Sequence, residues 1–253
     1  MAYTKTVWVN NQAPAINAEN LNKIEDGIYN SVRYADAQTL TDAQKTQARG
    51  NIGAAPAGYG LGESGGQALS NVSLNSLINN GWYFLYLNNT DGPDNVNISY
   101  SILFVSSDRS DLTKVQRLIL GVEGMQGYEL RRVYNNVSWL PWEWVNPPMK
   151  LGVEYRTTER YLWKPVYVKV IDVGALPNAD QKTVSHGIDN IDKFVSVYGR
   201  RYSTATSETN IPYENYNSKC GVYANISSVF VYCSTNESTS TGYVTLKYTK
   251  TTD

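Results

Sequence analysis

The sequence predicts a mainly β protein in which a short α-helical N-terminal segment precedes two small antiparallel β units. Three observations carry that prediction. Apart from one helical turn after residue 70, helix signals fall in the first 55 residues, where two N-cap patterns each precede a run of helix formers. From residue 67 onward, apolar runs of strand length alternate with clusters of Gly, Asn, Asp and Ser. The 253 residues include 20 Tyr but only 4 Phe and 3 Met, and tyrosine is a good strand former.

The chain opens with an extended arm carrying Trp8, Pro14 and Ile16 that runs into a first helix capped by Asn17, whose side-chain oxygen can accept a first-turn N–H. Glu19 falls in the first turn, where the helix dipole favours a carboxylate. Leu21, Ile24 and Ile28 follow at helical spacing, with Val32 and Ala35 roughly on the same side. This stripe is too narrow to cover a core, and it suits a seam between helices of identical chains. A second helix starts at Thr41, since Thr41-x-x-Gln44 has the capping-box pattern, and it is expected to end near Gly50. It contains almost no large apolar residue and fits a thin shaft. Residues 56–66 are Gly-rich and read as a linker.

In residues 67–149, a helical turn at 71–78 stops at Asn79-Asn80-Gly81. Strands are expected at Trp82–Leu87, Ile98–Val105, Gln116–Val122 and Tyr128–Tyr134, and an aromatic run closes the unit at Trp139, Trp142 and Trp144. Those three indoles are assigned to the core. In residues 150–253, Val166, Val168 and Val170 alternate with Tyr167, Lys169 and Ile171, as in a half-buried strand. Phe194–Tyr198, Val222–Cys233 and Tyr243–Tyr248 supply further strands, and the polar stretch 200–219 reads as a long loop.

Composition removes several function classes. The net charge is −1 from 22 basic and 23 acidic residues, without the basic stripe of a nucleic-acid binder. Arg131-Arg132 and Arg200-Arg201 read as solvated strand or turn positions. No apolar run reaches the roughly eighteen residues of a membrane span, and no signal-peptide pattern is visible. Gly62-Glu-Ser64-Gly-Gly66 matches a G-x-S-x-G nucleophile pattern but lacks the strand before and helix after that the chemistry needs. His186 is the sole histidine, which rules out two-histidine metal motifs, and its turn setting favours a structural hydrogen bond. Paired carboxylates of a glycoside hydrolase have a spatial rather than a sequential spacing, so the sequence leaves them open. No cofactor or metal site is expected.

The stretch Pro14-Ala-Ile-Asn-Ala-Glu-Asn-Leu-Asn-Lys-Ile-Glu25 resembles the virion-proximal anchor of phage fibre and appendage proteins. Leu40-Thr-Asp-Ala-Gln-Lys-Thr-Gln-Ala-Arg-Gly-Asn-Ile-Gly-Ala-Ala55 resembles a module of phage tail and head fibres. Leu74-Asn75, Gly81-Trp82-Tyr83, Ile102–Val105, Tyr128-Glu-Leu-Arg131 and Trp139-x-x-Trp142 resemble the knob of pyocin and prophage tail fibres. Thr157-Thr-Glu-Arg-Tyr161, Pro165-Val-Tyr167 and the His186 turn resemble a C-terminal β-sandwich of such fibres, with Trp163 where glycine is common.

The resemblance implies a non-enzymatic homotrimer with a knob-like domain and a receptor-binding sandwich. It would dock to a baseplate, tail or capsid protein through residues 1–55 and bind host cell-surface polysaccharide, without nucleic acid or membrane insertion. A capsid decoration protein is the alternative, and a polysaccharide-degrading tailspike a third reading against which the absence of internal repeats speaks. Assembly in the host cytoplasm would leave Cys220 and Cys233 as free thiols on neighbouring strands. The receptor surface is expected at Trp163, Tyr202, Tyr213, Tyr216 and Asn217, where aromatic faces stand beside hydrogen-bonding groups. The same rings could instead pack beneath their loop or between subunits.

Overall fold

The structure, a computed structural model, describes residues 17–29, 40–54, 68–108, 110, 112–204, 207–214 and 218–253. The chain divides into two compact units, residues 1–57 and 58–253. Trp8, Pro14, Ile16, Val32, Ala35 and the linker serine Ser64 lie outside the described residues, as do Tyr216 and Asn217.

In the first unit, helix α1 spans Ala18–Tyr29. Asn17 caps it, its Oδ1 accepting the Asn20 N–H at 2.9 Å. Leu21 is largely exposed and Ile24 half-buried; Ile28 belongs to the same helix, with its side chain outside the described set. Helix α2 spans Asp42–Ile52 and has both bonds of the Thr41–Gln44 capping box, but buries no residue. It ends at Gly53 rather than near Gly50. Gly53 takes the left-handed conformation, φ 64°, while the Ala54 N–H closes onto Arg49 O at 2.9 Å, so Gly50 stays inside the last turn.

The second unit is all β. Its strands are β1 (Ala68–Leu69), β2 (Gly81–Leu85), β3 (Ser101–Ser107), β4 (Thr113–Ile119), β5 (Glu129–Asn135) and β6 (Glu143–Trp144). These are followed by β7 (Glu154–Tyr161), β8 (Lys164–Ala175), β9 (Gln181–Ser185), β10 (Ile191–Thr204) and β11 (Ser207–Ile211). The last are β12 (Tyr213–Glu214), β13 (Lys219–Ala224), β14 (Ser228–Cys233) and β15 (Thr241–Lys250). A 3-10 turn at Leu74–Ser76 replaces the helical turn read from sequence. An 11-stranded sheet runs β1-β2-β3-β4-β5-β6-β7-β8-β15-β10-β11, and a 4-stranded sheet runs β12-β13-β14-β9. A single parallel register pair, Trp144 with Thr157, joins β6 to β7.

Two cores result. Leu74, Leu85, Leu103, Val105, Leu118 and Leu130 fill the first, together with Trp144 and with Tyr155 and Val168 from β7 and β8. In the second, Ile171, Val173, Val244, Leu246 and Tyr248 of the large sheet meet Cys220, Val229, Val231 and Cys233 of the small one, a face-to-face sandwich. The outer face carries an apolar patch over β2 and β3 that reaches Ile119 of β4, beside Arg117, Glu129 and Arg131. Trp82 pairs with Phe104, Phe84 with Ile102, and Ile102 with Ile119, and Trp82 and Ile102 are exposed. A strand with one wet face normally alternates apolar with polar residues, and β3 does not over Ile102–Val105.

The structure corrects three expectations. Residues 200–219 are not a long loop, because β10 continues to Thr204 and β11 and β12 follow. Polar side chains there occupy the edge of a sheet whose backbone bonds, not apolar content, hold the strands. Val222–Cys233 is a hairpin rather than one strand, with Asn225 Oδ1 accepting the Ser227 and Ser228 N–H groups in its turn. Cys220 and Cys233 form a disulfide. They are directly opposed in the β13–β14 register with Cα atoms 4.1 Å apart, a closeness that antiparallel strands provide at alternate pairs.

Candidate functional site

The β7–β8 hairpin closes through the Tyr161–Lys164 pair, leaving Leu162 and Trp163 as its two turn residues, with φ of 48° and 70°. A two-residue turn with positive φ at both positions is a type I′ turn, which favours Asn-Gly. A bulky residue in this conformation is strained by about 1–3 kcal/mol. Trp163 is nevertheless 97% exposed. The indole therefore occupies a glycine-type position and lies almost wholly in solvent.

The two described tyrosines of the expected receptor surface are engaged within the sandwich. Tyr202 is half-buried on β10 and meets Tyr243 edge-on at 5.4 Å. Tyr213 on β12 bonds through its hydroxyl to Glu237 Oε1 and Ser218 Oγ, each at 3.1 Å. Arg201 Nε donates to Glu237 Oε2 at 2.8 Å, so the second arginine of the Arg200-Arg201 pair is not a solvated position. Burial raises the Glu237 pKa, but hydrogen bonds from Arg201, Tyr213 and Ser218 and the Arg201 charge outweigh it and hold the carboxyl below its ordinary range.

A recess of about 500 Å³ opens beside the closing aromatic run, lined by Trp139, Trp142 and Trp144 with Pro93, Asp94 and Arg132 among its walls. Trp139 Nε1 donates to Asn75 O and Trp142 Nε1 to Asp91 O, both at 3.2 Å. The two rings flank the Arg132 guanidinium, whose carbon lies 4.6 and 4.4 Å from their centroids, within cation–π range. Arg132 Nε donates to Gln116 Oε1 at 2.8 Å, and Gln116 Nε2 in turn donates to Leu74 O and Leu77 O. Arg132 is 6% exposed and its Nη2 has no hydrogen-bond partner. Burial pulls its pKa down to about 10, opposed by the Asp91 charge.

Trp144 joins the core at 8% exposure and half-buried Trp142 packs against it, whereas Trp139 is a half-buried wall. Sequence reasoning missed this recess because Arg132 looked solvated. The legible signal was the strand alternation that places Arg132 on the same face as Leu130.

The described residues offer little catalytic chemistry. His186 is 3% exposed, with Nε2 3.0 Å from Asn225 O and Nδ1 accepting the Ile188 N–H at 3.1 Å. That pattern assigns the neutral tautomer with its proton on Nε2, and both nitrogens are occupied. Glu143 is held by Arg156 and Arg160, and Glu154 by Lys250. Among the described residues no group of three or more His, Cys, Asp or Glu could hold a metal, and no helix is long and apolar enough to cross a membrane.

No protein-family model and no curated protein matches the chain. An N-truncated R2-type pyocin tail fibre is similar to it over 75% of this chain and 100% of its own, at 11% identity and a TM-score of 0.26. The C-terminal part of an R1 pyocin fibre from P. aeruginosa is similar over 74% of this chain and 68% of its own, at 10% identity and a TM-score of 0.28. The corresponding part of a P. aeruginosa R2 pyocin fibre covers 76% and 68%, at 10% identity and 0.26. At these scores the likeness is distant, and it carries neither the binding nor the assembly of those fibres to this chain.

Proposed function

We propose that the chain is a fibre or appendage protein of a phage-like particle that attaches it to host cell-surface polysaccharide by non-catalytic adhesion. Residues 1–55 dock it to a tail or capsid protein, and the β body faces outward. The observation that carries this reading is Trp163. A folded chain gains nothing in stability from an indole at φ 70° and 97% exposure, whereas a saccharide ring stacks on such a face.

Three copies per fibre multiply weak contacts, since multivalency raises apparent affinity by roughly 10² to 10⁴. The exposed apolar patch on β2 and β3 supports association, as does the Leu21, Ile24 and Ile28 stripe. Trp163→Gly separates binding from folding. Glycine relieves the positive φ, so the melting temperature is expected to hold or rise while adsorption to host cells falls at least tenfold. Unchanged adsorption would sink the assignment of Trp163.

A further inference from the structure

We propose that the recess walled by Trp139, Trp142 and Trp144 is a subsite for an acidic saccharide, one bearing a carboxylate or a phosphate. This rests on the saccharide-adhesion reading above and names the chemistry of one of its sites. Four features of the recess support it.

The first is rigidity. Both outer indoles spend their N–H on backbone carbonyls, Asn75 O and Asp91 O, so the rings are pinned and only their apolar surface remains for a ligand. The second is size. About 500 Å³ lies within the range of small-ligand sites and admits one or two sugar units.

The third is charge. Of the ionised groups that line the recess, Arg156 is matched by Glu143 and Asp253 and Glu154 by Lys250. Arg132 is different. Its nearest polar contact is an amide, Gln116 Oε1 at 2.8 Å, and no carboxylate is in contact with it among the described residues. A buried guanidinium that feels the Asp91 charge but touches no carboxylate is costly, and an anionic group entering the recess offsets that cost. Indole and proline walls screen poorly, so the Arg132 charge is felt across the recess.

The fourth is the unmet donor, Arg132 Nη2, which is buried and unpartnered, so an anion reaches it as the guanidinium turns toward the recess. The guanidinium edge pairs equally well with carboxylate and phosphate oxygens, which is why the two anions are grouped. Asp94 is the opposing element. It lies exposed on the rim, where its charge repels an anion, so its removal gives a sign test that leaves the core untouched.

The experiment uses the full chain and titrates its tryptophan fluorescence with three probes: oligogalacturonate, its carboxyl-reduced counterpart, and a glycerol-phosphate oligomer. At least one acidic probe is expected to bind tenfold or more tightly than the reduced oligosaccharide, and which one does so identifies carboxylate or phosphate as the source. Asp94→Asn is expected to tighten the acidic probe several-fold, and Trp142→Ala to abolish its binding. Equal affinity for acidic and reduced probes, no binding of either acidic probe, or weaker acidic binding by Asp94→Asn overturns the subsite. Cell adsorption by the same preparations separates the two claims. Cells bound without any acidic probe bound would remove the subsite and leave adhesion standing. Acidic probes bound without adsorption would do the reverse.

Discussion

Glu237 is the residue on which the second β core's polar chemistry converges. It receives Arg201, Tyr213, Ser218 and Ser240, and its folded pKa lies below the ordinary value. Its stabilising contribution is therefore fully present above the unfolded glutamate value and is lost as the pH falls through the folded one. Glu237→Gln should lower the urea midpoint strongly at about pH 6 and progressively less toward about pH 3, which bracket the ordinary glutamate range. A difference that does not shrink on acidification would contradict the assignment.

Cys220 and Cys233 make a second test at the same scale. Joint replacement by alanine, or reduction, is expected to cost about 2–4 kcal/mol of unfolding free energy, read from denaturant melts. Residue-level chemistry was only partly legible in the sequence. The Asn17 and Thr41 caps could be read because a cap and its partner are three residues apart. The disulfide and the Arg132–Trp pair could not, since their partners meet only through strand register.

Among the elements, β2 and β3 present an exposed apolar patch around Trp82 and Ile102. Ile102 sits in its centre, paired with Phe84 and Ile119 and 41% exposed. Ile102→Glu is expected to convert an associated species to monomer in light scattering while circular dichroism keeps its β signature. Association that survives the substitution would move the contact to another face. The strands themselves were legible where apolar residues recur with period two, as in β8, or where a run rich in strand formers is bounded by Gly, Asn, Asp or Ser, as in β3, β4 and β5. They were illegible over 200–219, where Ser, Thr, Asn and Glu dominate and the backbone ladder to β15 and β11 decides the conformation. Apolar patterning reports burial, and an edge strand buries little.

For the whole molecule, the division into residues 1–57 and 58–253 frames the remaining prediction. Deleting residues 1–37 should abolish incorporation into particles and leave the β body folded, with its melting transition intact. Truncated protein that still decorated particles would show that the anchor lies elsewhere.

The junction between β6 and β7 has a mechanical consequence. Within the large sheet, β10 and β15 are laced together from Ile191 to Tyr202, whereas β6 and β7 share one register pair. Around that pair, Arg156 and Arg160 grip Glu143. A pull across that junction would load one register pair, two ion pairs and the packing of Trp144 on Tyr155, against ten register pairs between β10 and β15. The large sheet would then part between β6 and β7 before the β10–β15 ladder opens. A single-molecule pulling trace would show that yield as its lowest-force event.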